Sequence, residues 1–177
     1  MQKNLDDDKP WLDDPEYMAI VGEFLKRPEL KKLNKIEHHH ISTRLQHSLR
    51  VSYQSYKITK KLGWKSYETA RAGLFHDMFY YDWRETKFAK SHAYVHPRIA
   101  YRNAKKLTEI SPLEKDIIIK HMWGATLNPP RYKESFLVSF VDDAVAIKEW
   151  RASRRAKRQV RKQQLKHLRM NMQHGHN

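Results

Sequence analysis

Residues 42–63 read STRLQHSLRVSYQSYKITKKLG, and this stretch decides the fold class. Ser42 or Thr43 offers a hydroxyl to the free amides at a helix start. Leu45, Leu49, Val51, Tyr56, Ile58 and Leu62 then recur along the segment, and Gly63 supplies the stop that a helix C-terminus favours. The same punctuation repeats on both sides. Upstream, Asp14-Pro15 has the form of an N-cap and first helical residue, ahead of Tyr17, Ile20, Val21, Phe24 and Leu25. Downstream, Ser66 opens a helix through Ala70, Leu74 and Phe75, and a looser stretch runs from about Tyr80 to Tyr94. The next helix is expected to begin near His96-Pro97 and to continue through Ile99, Ala100 and Leu107. Ser111-Pro112-Leu113-Glu114 has the spacing of a capping box and introduces Ile117, Ile118 and Ile119. Asn128-Pro129-Pro130 breaks that segment, and a last helix from about Lys133 carries apolar residues as far as Trp150. With five glycines and little period-two alternation, the expected fold is all-α, a compact helical bundle.

At 177 residues the chain has room for one core and an appendage. The net charge of +15 is unevenly placed: from Trp150 onward there are nine Lys/Arg and no Asp or Glu, so setting those nine aside leaves +6 for the body. The expected organisation is an N-terminal helix and connector over 1–40, a bundle over 41–149, and a basic extension, helical or disordered, over 150–177. That extension offers a possible weak contact with RNA through phosphate neutralisation. Cysteine is absent, which removes thiolate nucleophiles and thiolate metal sites and fits a reducing cytoplasm. There is no signal-peptide-like apolar start and no run of 18 apolar residues, so a soluble cytoplasmic protein without a membrane span is expected.

The chemistry-bearing residues fall one by one inside apolar stretches: His47, His76 with Asp77, His96, His121 and Asp142. Leu74-Phe75-His76-Asp77-Met78-Phe79 is the sharpest case, because an imidazole beside a carboxylate in such surroundings needs partners to offset desolvation. A cation supplies that compensation to many groups at once. Imidazole and carboxylate without thiolate suit iron, manganese, zinc, cobalt or nickel better than calcium.

In this order His47, His76-Asp77 and Asp142 resemble the signature of the HD superfamily of metal-dependent phosphohydrolases. His96 and His121 are similar to the added histidines of its two-metal members. Around them Arg44-Leu45-Gln46-His47-Ser48, Gly73-Leu74-Phe75-His76-Asp77, His96-Pro97, Lys120-His121-Met122-Trp123 and Val141-Asp142 resemble a bacterial subgroup of uncharacterised hydrolases within it. The resemblance runs from about Ile41 to Glu149. It implies an HD-domain bundle in which His47, His76, Asp77 and Asp142 hold a first metal and His96 and His121 a second, with Asp77 able to bridge. Iron or manganese is favoured, with zinc, cobalt, nickel or magnesium as alternatives. It also implies His76 and Asp77 as the catalytic heart, and water activated at the metal as the nucleophile on a phosphate ester or anhydride. The implied substrate is a small phosphorylated metabolite, foremost a nucleotide.

Arg44, one helical turn before His47, and Arg98, near a helix start, are candidates to grip phosphate. Arg84 and Lys87 in the looser stretch are candidates too. One departure stands out: many two-metal members carry a lysine three residues after the doublet's aspartate, where this chain has Tyr80. Asp82 is then a general acid or base, a partner of a ligand, or a turn residue. The rival expectation is a nucleic-acid-binding or regulatory protein with a structural or vestigial metal site; a di-iron oxygenase is a third. His38, His39 and His40 point around a helix in different directions, so at most one or two could reach one ion. Trp83 and Trp123, which follow ligand segments, are either packing residues or platforms for a base. The sequence leaves oligomeric state open.

Overall fold

The computed structural model describes residues 9–38 and 42–174. His39 and His40 therefore lie outside the described residues. The described chain is helical: a short 3-10 turn at Pro10–Asp13 precedes α1 (Pro15–Leu25), α2 (Pro28–Leu33), α3 (Arg44–Lys61), α4 (Ser66–Phe75), α5 (His92–Leu107), α6 (Pro112–Lys120), α7 (Trp123–Thr126) and α8 (Lys133–His174). The extended pairing among the described residues is one antiparallel contact, β1 (Glu37–His38) with β2 (Ser42–Thr43), just ahead of α3. The fold is all-α, as the periodicity predicts.

Side chains close the helix starts. Asp14 Oδ1 accepts from Tyr17 N at 3.0 Å. Thr43, not Ser42, caps α3: its Oγ1 accepts from Gln46 N at 3.2 Å while Gln46 Oε1 accepts from Thr43 N at 2.8 Å. Ser111 and Glu114 exchange the same reciprocal pair at the start of α6. Gly63, at φ +65°, takes the left-handed conformation that ends α3.

Three elements depart from expectation. Pro97 lies inside α5, which starts at His92, not near His96-Pro97. Proline cannot donate to the carbonyl four residues back, so it reads as a start signal; here burial of His96, Pro97, Ala100 and Ala104 holds the turn that precedes it. Helices α2 and α7 are too short to show a period.

At the centre lies α3, against α4 along its length and against α8. The close approach of α3 to α4 depends on Gly73, whose added Cβ would meet Ser52 Cα at 2.8 Å. A hydroxyl relay ties α1 to the pair: Tyr17 Oη donates to Ser52 Oγ at 2.8 Å, and Ser52 Oγ donates to Ala70 O at 2.6 Å. Around it Val21, Leu30, Leu33, Leu74, Phe75, Ile117, Ile118 and Val138 are fully buried, each worth roughly 1.5–3 kcal/mol of transfer free energy. This packing fixes the ends of α4 and α6, where the doublet and His121 sit.

Candidate metal centre

Five elements bring the six expected residues together. His47 comes from the first turn of α3, His76 from the C-cap of α4 with Asp77 following, His96 from α5, His121 from the C-cap of α6 and Asp142 from α8. All six are at most 8% exposed.

The ligand atoms divide into two lobes. In one, His47 Nε2 is 2.9 Å and His76 Nε2 3.6 Å from Asp142 Oδ1. In the other, Asp77 Oδ1 is 3.3 Å from His96 Nε2 and 3.7 Å from His121 Nε2. His76 Nε2 joins them, since Asp77 turns its second oxygen, Oδ2, toward it at 3.9 Å. The sets His47, His76, Asp142 and His76, Asp77, His121 each gather their ligand atoms within 4.8 Å of one another.

What aims the imidazoles is the other ring nitrogen. Nδ1 of His76 lies 2.8 Å from Gly73 O, that of His96 2.9 Å from His92 O and that of His121 2.9 Å from Ile118 O. A carbonyl only accepts, so each Nδ1 carries the hydrogen and a neutral ring turns its lone pair inward through Nε2. His47 Nδ1 meets a carboxylate instead, Glu149 Oε2 at 3.2 Å, and Arg50 pairs with the other oxygen of Glu149 at 2.6 Å.

Two observations bear on whether a cation fits. His76 Nε2 is buried without a hydrogen-bond partner. His96 Nε2 and His121 Nε2 stand 2.8 Å apart, and in neutral rings with the proton on Nδ1 both are acceptors. Two facing lone pairs repel, whereas two nitrogens bound side by side at about 2.0–2.1 Å to one ion meet at about that separation. The donor set is nitrogen and oxygen throughout and fits the expected divalent metals.

Electrostatics follow the same division. Burial disfavours a charged His47, but Asp142 and Glu149 outweigh it and raise its pKa to about 10. Asp142 is held well below the usual carboxylate range by His76 and His47 against its own burial. His121 is pushed down to about 3, by burial first and then by the neighbouring His76 and His96.

Two of the four expected phosphate-gripping cations, Arg44 and Arg98, are engaged elsewhere. Arg44 is 1% exposed; its Nη1 donates to Phe79 O at 2.7 Å and its guanidinium lies 3.6 Å over the Phe79 ring. It pins the segment after the doublet to α3, which corrects the expectation of an open anion grip. Arg98 turns back on its own helix, donating to Tyr94 O at 2.5 Å with its guanidinium 3.4 Å over the Tyr94 ring. Arg84 is 3.5 Å from Asp82, and Lys87 is exposed. Asp82 is a turn residue, its Oδ1 accepting from Arg84 N at 2.9 Å.

Two residues at the centre escaped the sequence reading. Glu149 is fully buried on the apolar face of α8, and only its spacing of seven from Asp142, two turns along one face, hints at it. His92 stacks on His96 with centroids 4.4 Å apart, and Trp83, 46% exposed, stacks on the outer side of His92 at 5.6 Å. Burial and the neighbouring His96 push His92 down to about 4.

Comparison with protein-family models, curated proteins and solved structures returned no match. Among the described residues no helix is long and apolar enough to cross a membrane.

Proposed function

We propose that the chain is a cytoplasmic metal-dependent phosphohydrolase acting on a small phosphorylated metabolite, foremost a nucleotide. The observation that carries this reading is the convergence of four histidine Nε2 atoms and the Asp77 and Asp142 carboxylates from five helices, each imidazole aimed by an acceptor at Nδ1. The ordered resemblance of the same residues to the HD superfamily supports it. Divalent cations there supply an activated water and neutralise charge growing on the phosphoryl oxygens.

The chain's own residues do the rest. His47, His76 and Asp142 would hold one ion, and His96, His121 and Asp77 a second, with Asp77 Oδ1 toward His96 and His121 and Oδ2 toward His76. Glu149 keeps the His47 ring in place. Tyr81 and Trp83 flank His92 at the rim, beside exposed Arg84 and Lys87, where an anionic substrate would enter.

Purified protein given Fe²⁺ or Mn²⁺ should release phosphate from members of a nucleotide and phosphomonoester panel, and His76→Ala and Asp77→Ala should each abolish release. Turnover that survives both changes overturns the proposal. Tyr80, standing where many two-metal members carry lysine, favours a second reading: a regulatory protein whose cations only hold the fold. That reading expects the same metal content with no turnover on any member of the panel.

A further inference from the structure

The C-terminal part of α8 has a use that the metal centre does not account for. Every residue from Arg154 to Leu165 is exposed, and the backbone stays helical to His174. At 1.5 Å per residue the segment 154–174 reaches about 31 Å beyond Ser153, the last buried position among the side chains described on the helix.

Its charges are ordered. At about 100° per residue, Arg151, Arg155, Arg158 and Lys162 fall within an arc of about 60°, in steps of about 4.5–6 Å along the axis. The sequence continues the same spacing with Lys166 and Arg169. This row is centred about 150° around the helix from Val138, Asp142, Val145, Glu149 and Ser153, which face the body.

The arrangement works against an isolated helix. Arg151 with Arg155, Arg154 with Arg158, Lys157 with Arg161, and Arg158 with Lys162 are like charges four residues apart, which repel. No acidic residue follows Glu149 to relieve them. A ligand carrying closely spaced negative charges removes that repulsion.

We infer that this row binds the phosphate backbone of a nucleic acid, without reading bases. A strand offers phosphates at closer axial intervals than the cations, so each cation can take one. A membrane surface suits the helix less well. Among residues 151–165 the side away from the row carries Ala152, Ala156, Gln159, Val160 and Gln163, so Val160 is its one sizeable apolar side chain, too little to anchor the helix in a lipid interface. Because the row faces away from the metal centre, binding and turnover are separable.

Fluorescence anisotropy tests this on the full chain, using labelled single-stranded RNA of roughly twenty nucleotides and, in parallel, duplex DNA. Binding should weaken with salt at a slope of about −3 or steeper for single strands, as four to six phosphates release their counterions. R151Q/R155Q/R158Q/K162Q should lose at least about tenfold in affinity, and R155Q/R158Q a measurable part of it. K31Q/K32Q/K57Q/K105Q, which removes the same charge from exposed positions on the body, should lose less than about threefold. Asp77→Ala should bind RNA unchanged, so failure of the phosphohydrolase proposal and failure of this one are told apart. No binding to either nucleic acid at low salt, equal losses in the two quadruple variants, or stronger binding to phosphatidylserine vesicles would each overturn the inference.

Discussion

His76 is the residue on which both lobes depend: its Nδ1 is held by Gly73 O, its Nε2 has no hydrogen-bond partner, and that atom faces Asp142 on one side and Asp77 on the other. Around it protonation pulls in two directions. Without metal, His47 keeps its proton to about pH 10 in the folded chain, against an ordinary value of 6.5. The stability this adds is complete below pH 6.5 and is lost as pH rises through 10. His121, pushed down to about 3, refuses a proton that the unfolded chain accepts below 6.5, so stability also falls as pH drops from 6.5 toward 3. The metal-free protein should therefore be most stable near pH 6.5. It should lose up to about 1.4 kcal/mol per pH unit per group on either side, read from urea midpoints in EDTA. A midpoint that rises steadily from pH 5 to pH 9 contradicts this. A nitrogen bound to metal cannot keep its proton, so Mn²⁺ added at pH 8 should release about one proton from His47, and His47→Gln should not release it. Glu149→Gln, which keeps the acceptor but removes the charge, should weaken metal affinity by roughly 10–100-fold in a competition titration, with the helical spectrum unchanged.

At the scale of elements, the α3–α4 contact sets where the doublet sits. Gly73→Ala gains about 1 kcal/mol of helix propensity, but the new Cβ meets backbone at Ser52 Cα, and overpacking of that kind costs about 1–3 kcal/mol. The cost wins, because backbone cannot rotate aside as a side chain does. The melting temperature should fall by several degrees, and metal affinity should fall with it because Gly73 O holds His76. A variant as stable as the parent would mean that α4 shifts freely. What the sequence makes legible at this scale is local chemistry. Asp14, Ser111 with Glu114, and Gly63 announce their helix ends by residue type, and apolar spacing places His47, His76, His121 and Asp142 on inward faces. What stays hidden depends on contacts distant in sequence. Nothing local marks Thr43 over Ser42 as the cap, Pro97 as internal to α5, or Glu149 as a partner of His47. Arg44 is a sharper case: as a cation one turn before a candidate ligand it invites a substrate role, and only the carbonyl of Phe79, 35 residues away, reveals a staple.

For the whole molecule, six polar groups that converge from α3, α4, α5, α6 and α8 are a liability to the empty fold and an anchor for the loaded one. Folding removes them from water, and without a cation the His96 and His121 Nε2 atoms face only each other and Asp77, at 2.8 Å from one another. An ion that binds the folded chain alone stabilises it by about 2.7 kcal/mol at a hundred times its dissociation constant, and more as concentration rises. In a protein of this size that raises the melting temperature by roughly 5–10 °C. Because the ligands form two lobes joined at His76 and Asp77, the melting temperature should climb in two phases as Mn²⁺ is titrated in, and EDTA should reverse both. H96A/H121A should remove one phase and keep the other, since His47, His76 and Asp142 remain. Asp142→Ala should weaken the phase that H96A/H121A retains. A melting temperature indifferent to divalent metal in the parent chain would mean that the four imidazoles meet for packing alone.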